Sequence, residues 1–134
     1  MAFRHGRFAE ISVNAAALSA FCDSADLAID IDTADTTTFL KTWKTAIAGL
    51  AGGKLDLKGN YDPTVTTGPA AVFTALIGAD PFAVVVEPGG NLTGQARRSF
   101  NALLTAYTEG SPVGGKVTFG ASLLVDGVVT FAII

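Results

Sequence analysis

The run from Lys116 to Ile134 most narrows what this chain can fold into. It reads Lys-Val-Thr-Phe-Gly-Ala-Ser-Leu-Leu-Val, then Asp-Gly, then Val-Val-Thr-Phe-Ala-Ile-Ile, two β-rich runs around a dipeptide that tolerates positive φ. That pattern predicts a C-terminal β-hairpin over 116–134, with Val125 facing Val128 across a tight turn. One face would carry Val117, Phe119, Ala121, Leu123 and Val125, the other Leu124, Val129, Phe131 and Ile133. Neither face alternates cleanly with polar residues, as an outward-facing antiparallel hairpin normally does, so something must cover both.

Composition sharpens the point. The chain has 134 residues, enough for one domain with a real core. Only 16% of them are charged, where about 25% is usual, so surface is hidden against neighbours or left apolar. Net charge is −3, and the nine basic residues form no cluster, which argues against a protein that grips nucleic acid by its phosphates. Cys22 stands alone, so no internal disulfide forms. No apolar run reaches about 18 residues and the N-terminus lacks a signal-peptide core, which predicts a soluble protein made in the cytoplasm, with no membrane partner.

Taken in order, residues 1–7 form an arm with Phe3, Arg4, His5 and Arg7 around Gly6, either a solvated end or a segment that docks on a neighbouring subunit. Phe8 to Val13 predicts a first strand, and Asn14 before Ala-Ala-Ala-Leu predicts an N-cap and a turn or two of helix. Asp26 to Asp35 has the clearest period of two: Leu27, Ile29 and Ile31 on one face, Asp26, Ala28, Asp30 and Asp32 on the other. That acidic face meets water, a cation, or lysines across the ladder. Lys54 and Lys58, in the alternating run Lys54 to Asn60, are the candidates to neutralise Asp30 and Asp32. Residues 33–52, with Phe39 and Trp43, read as a long loop region. Pro69 followed by Val72, Phe73, Leu76 and Ile77 predicts a helix over 69–78, and Phe82 to Glu87 a buried strand. For Gly94 to Ser111 the spacing of Phe100, Leu103, Leu104 and Tyr107 counts as helical.

Catalytic chemistry is missing from this pattern. Gly110 to Val117 approaches a phosphate-binding loop, but Val117 has no hydroxyl and a strand pattern follows in place of a helix. His5 is the only histidine and lies in the arm, which removes histidine-based triads and most zinc sites. Asp26, Asp30, Asp32 and Asp35 lack the glycine-punctuated loop of a calcium site. The expectation is a protein that is not an enzyme and uses no cofactor.

The order of segments resembles the tail tube (major tail) proteins of long-tailed bacteriophages. The likeness rests on the acidic strand running into threonines and Phe39; on Trp43, Gly49-Leu50 and the strand Lys54 to Asp62; and on Tyr107 to Val113, Val117 to Ser122 and Asp126-Gly-Val. What it implies is one tail tube domain over 1–134, a β-sandwich or small barrel with one flanking helix. It also implies hexameric rings stacked into a hollow tube that the tape measure protein fills and DNA later leaves by, without specific binding. Tail terminator and baseplate or tail-tip proteins would be the further partners, and the virion tail, after assembly in the host cytoplasm, the location. By the same resemblance Arg97 to Thr108 becomes a strand, against the helical count, and that is the reading adopted. The acidic face of Asp26, Asp30 and Asp32 is the candidate lumen wall, since a tube that lets DNA slide should not hold phosphates. Phe3, Arg4, Arg7, Phe39 and Trp43 are the candidate inter-subunit contacts. Two alternatives stand beside it: a contractile injection system tube or head-to-tail completion protein, and a monomeric β-barrel with a small apolar ligand inside.

Overall fold

The computed structural model describes residues 7, 9–62, 68–90 and 92–134. The arm residues Phe3 and Arg4 lie outside these. Seven strands and one helix follow in the order β1 (Glu10–Val13), β2 (Ala16–Ala17), β3 (Cys22–Asp35), β4 (Ala46–Asn60), α1 (Pro69–Ala75), β5 (Phe82–Glu87), β6 (Ala96–Gly110) and β7 (Thr118–Ile133). All seven strands join one antiparallel sheet, ordered β2-β1-β5-β6-β7-β4-β3. The fold is therefore mainly β with one flanking helix. Its core is enclosed by curling a single sheet, so that β3 and β1 approach across the interior, with no second sheet among the described residues.

Alternation decides which face is inside. Along β4, Leu55, Leu57 and Gly59 are buried while Lys54, Lys58 and Asn60 are exposed. The same side carries Phe119, Ala121, Leu123 and Val125 of β7, Phe100 and Ala102 of β6, Val84 and Val86 of β5, and Ile11 and Val13 of β1. Helix α1 begins with Pro at its first turn and lays Val72, Phe73 and Leu76 on this face; Ile77, expected in the same stripe, is exposed. The Phe73 ring stacks on Tyr107 at 5.6 Å and tilts against Phe119 at 5.8 Å.

Three expectations about local structure change. The C-terminal run is no hairpin: Thr118–Ile133 is one strand, and β6 pairs with it on both sides of Gly127. The register steps from Asn101↔Asp126 to Ser99↔Thr130, so Asp126-Gly127, with Gly127 at φ 92°, makes a bulge, and Val125 faces Ala102 where Val128 was expected. A two-residue hairpin turn does occur, but at Asn14-Ala15, both at positive φ (48° and 67°), joining Val13 to Ala16 where an N-cap and helix were expected. Half of 33–52 is strand as well, and 36–45 alone connects β3 to β4.

Residues 97–108 lie in β6. The helical spacing there has a cause, since a bulge between Leu104 and Ala106 turns an i, i+2 step into i, i+3. Leu104 and Tyr107 consequently both pair on the inner side, opposite Leu123 and Ala121.

Candidate functional site

Strands β6, β7, β4 and β3 lie side by side, and their outer side is largely polar, with Leu124 of β7 half-exposed among the charges. On β3 it carries Asp26 and Asp30, on β4 Lys54, Asp56 and Lys58, on β7 Gly120 and Ser122. Asp32 joins this side, because it lines the same shallow groove as Asp30, Lys54 and Leu124. The three carboxylates singled out in the sequence thus share one exposed surface. Sequence reasoning missed Asp56, which lies directly opposite Asp26 and accepts a hydrogen bond from the Ser122 hydroxyl at 2.9 Å. Four carboxylates against two lysines give the surface a net charge of about −2 by simple Coulomb counting.

The expected lysine pairing takes a different form. Lys54 lies opposite Ala28 and Lys58 opposite Ser24, so each sits diagonal to an aspartate, and neither makes an ion pair with Asp30 or Asp32. The ion pair that does form among the described residues joins Arg97 to Glu87, at 3.6 Å, on other strands. The described residues include no cluster of three or more His, Cys, Asp or Glu side chains able to hold a metal.

The second feature is the far half of the β3–β4 hairpin. Beyond Ile29 and Gly53 none of the described residues covers it, and every residue from Ile29 to Lys44 is exposed. Six residues of strand project about 20 Å. At the end a threonine cluster closes the neck: Thr36 donates its N–H to the Thr45 carbonyl at 2.9 Å and its hydroxyl lies 2.9 Å from that of Thr45. The Thr45 N–H donates to the Thr37 hydroxyl at 2.8 Å, and the Thr37 N–H to Asp35 at 2.8 Å. Hydrogen bonds from the Thr37 hydroxyl and N–H hold the Asp35 carboxyl below its ordinary pKa. Above this neck Phe39 is 97% exposed, Leu40 fully so at φ 72°, and Trp43 84% exposed. The two predicted contact residues therefore crown one tip, with Lys41 and Lys44 beside them. Arg7 is exposed at the start of the described chain, remote in sequence from this tip.

The third feature is unpaired backbone. Among the described residues β3 pairs only with β4, so its outer edge is open along residues 23–35, the Cys22 N–H donating to the Leu18 carbonyl at 3.1 Å. β5 covers β6 only at Arg98 to Ala102, which leaves the edge from Leu103 to Gly110 without a strand partner among the described residues as well. These edges bound the four-stranded polar surface on opposite sides.

No protein-family model matches the chain, and no curated protein does. Solved structures do. A virion protein of a native gene transfer agent particle superimposes with a TM-score of 0.79 at 11% identity, over 97% of this chain and 99% of that one. The SPP1 tail tube matches with a TM-score of 0.78 at 11% identity, over 98% of this chain and 80% of its own. The fold is that of a tail tube protein. A chain of the sheath-tube complex of an extracellular contractile injection system, PVC, gives 0.74 at 14%, over 98% and 93%.

Proposed function

We propose that this chain is the structural subunit of a phage-type tail tube, closing with copies of itself into hexameric rings that stack into a hollow conduit. The observation that carries this reading is surface. A compact 13.7 kDa protein exposes about 6600 Å² by the usual size scaling. This one exposes 8837 Å². The excess, about 2200 Å², exceeds the roughly 800 Å² that each partner gives to a standard interface.

The open edges say how copies would meet. Joining the β3 edge of one copy to the 103–110 edge of the next continues the sheet, adding four strands per copy and leaving no edge when the ring closes. Sixfold closure is supported by a matching gene transfer agent tail with C6 symmetry. Four strands from each of six copies, at about 4.8 Å spacing, give a barrel roughly 37 Å across, and wider once the strands tilt. Asp26, Asp30, Asp32 and Asp56 then line the lumen, repelling the phosphates of DNA that passes without specific binding. Phe39 and Trp43 of the projecting hairpin pack on the adjacent ring, and the arm residues Phe3, Arg4 and Arg7 add contacts between subunits. The tape measure protein, the tail terminator and the baseplate or tail-tip proteins are the partners this role requires, in a virion tail assembled in the host cytoplasm.

A tube of a contractile injection system is the second reading, favoured by the likeness to the sheath-tube complex. A tube subunit of either kind gives rings or tubes under the electron microscope when concentrated. A species that sediments as one copy at every concentration removes both readings.

A further inference from the structure

The two ends of the sheet differ in chemistry. Strand β4 runs from one to the other, its 15 residues carrying the chain about 47 Å from Ala46 at the projecting tip to Asn60. Asn60 pairs with Thr118 and Thr118 with Gly110, so the connection from β6 to β7, residues 111–117, lies at the end opposite the tip. Here the Gly115 N–H donates to the Pro112 carbonyl at 3.3 Å with Gly114 at φ 80°, a tight turn with Val113 at its first corner. The turn needs glycine at 114 for its positive φ; it does not need an apolar corner. Val113 is nonetheless fully exposed, with Pro112 exposed next to it and Val117 half-buried behind.

Charge separates the ends too. Lys41 and Lys44 against Asp35 leave the tip with a formal +1, whereas Glu109 and Asp62 against Lys116 leave the loop end with −1. Two tips packed on each other would gather four lysines, a like-charge contact. A tip packed on the loop end of another copy joins opposite charges and covers Phe39, Leu40 and Trp43 with Pro112 and Val113. Such a contact uses two different patches, so it repeats head to tail and grows a stack without closing.

We propose that the seat of the Phe39–Trp43 tip is the 111–117 loop end of a second copy in the next ring, with Pro112 and Val113 against the aromatic crown and Glu109 facing its lysines. The inference rests on the tube reading and names the surface on which one ring receives the next.

A chain with Cys22→Ala, Lys41→Cys and Val113→Cys keeps Phe39, Leu40 and Trp43 and has thiols only at the two proposed partners. Oxidation of its assembled tubes should give covalent ladders running well past six copies on a denaturing gel, because each link joins one ring to the next. Ladders that end at six copies, the mark of a contact within a ring, or tubes with no link, overturn the proposal and leave the tube reading standing. So does a link in tubes carrying Lys41→Cys alone, since that joins tip to tip. A second arm uses charge at low salt in the otherwise natural chain. Glu109→Lys should raise the concentration at which tubes appear by at least about fivefold, and adding Lys41→Glu with Lys44→Glu should bring it back to within about twofold of the original. No rise, or no recovery, overturns the proposal; a natural chain that forms no tubes overturns the tube reading with it.

Discussion

Trp43→Ala separates subunit stability from assembly. Trp43 is 84% exposed and the Thr36–Thr45 neck holds the tip without it, so the isolated subunit should lose less than about 0.5 kcal/mol. Assembly is another matter. Covering about 200 Å² of indole at about 25 cal/mol per Å² gives a ceiling near 5 kcal/mol. Ordering costs reduce this to the range of about 2–4 kcal/mol typical of a central aromatic anchor. At 1.4 kcal/mol per tenfold, the concentration at which tubes appear should rise roughly 30- to 700-fold. Light scattering against protein concentration reads that shift, and a urea melt of the dilute protein reads the subunit. The same residue supplies a third measurement: it is the only tryptophan, so its emission should move to shorter wavelength as tubes form. Tubes that appear at the wild-type concentration with unchanged emission would show that the tip stays in water and that the interface lies elsewhere.

Other perturbations probe the rest of the reading. Gly59→Ala places a methyl group against the backbone of Phe21 and Cys22, whose close approach lets the Asn60 N–H donate to the Phe21 carbonyl at 2.8 Å; equilibrium unfolding should show a loss of about 1–3 kcal/mol. Replacing Gly127 with Val puts a β-branched residue at φ 92° and should cost about 1–3 kcal/mol, an effect a strand-compatible conformation would not produce. Asp30→Lys with Asp32→Lys, both exposed, should leave the melting temperature within a few degrees yet slow DNA release from assembled tails; unchanged infectivity would move these residues off the lumen. Burial first, then Asp23, pushes the Cys22 thiol up to about 11, so the folded state keeps its proton where the unfolded chain has lost it. Its contribution to stability is whole below pH 9 and lost between about 9 and 11, and Cys22→Ala should flatten that part of an alkaline unfolding curve.

The inner and outer sides of the central strands were legible because one period of two runs through them. Leu27, Leu55 and Leu57 fall inside and Asp26, Asp30, Lys54 and Lys58 outside, as their alternation demands. Helix α1 was legible from Pro69 and the Val72, Phe73 and Leu76 spacing. The register of β4 on β3 was not, since backbone pairing is the same at every even offset and exposed charges select weakly among them. The exposed hairpin read as a loop for a related reason. Residues 46–52 are uncharged and, apart from Ile47 and Leu50, small, and all of them are exposed, so no buried side imposes alternation on them.

The C-terminal error and the Asn14-Ala15 error have one root. Positive φ is a property of a residue pair, whereas a hairpin and a bulge are properties of what lies beside it. For Val128 to Ile133 to fold back, they would need a free edge along Thr118 to Val125. That strand has two edges: β4 occupies one from Thr118 to Leu124, and β6 the other from Thr118 to Val125. Neither is vacant, so Gly127 can only bend the chain onward, where Ala96 to Ser99 await pairing. At Asn14 the competition runs the other way, because β5 takes one edge of β1 and leaves the other for Ala16 and Ala17. The choice between turning back and bulging is made by strands roughly 20 to 80 residues away in sequence, beyond the few residues over which a turn pattern carries information.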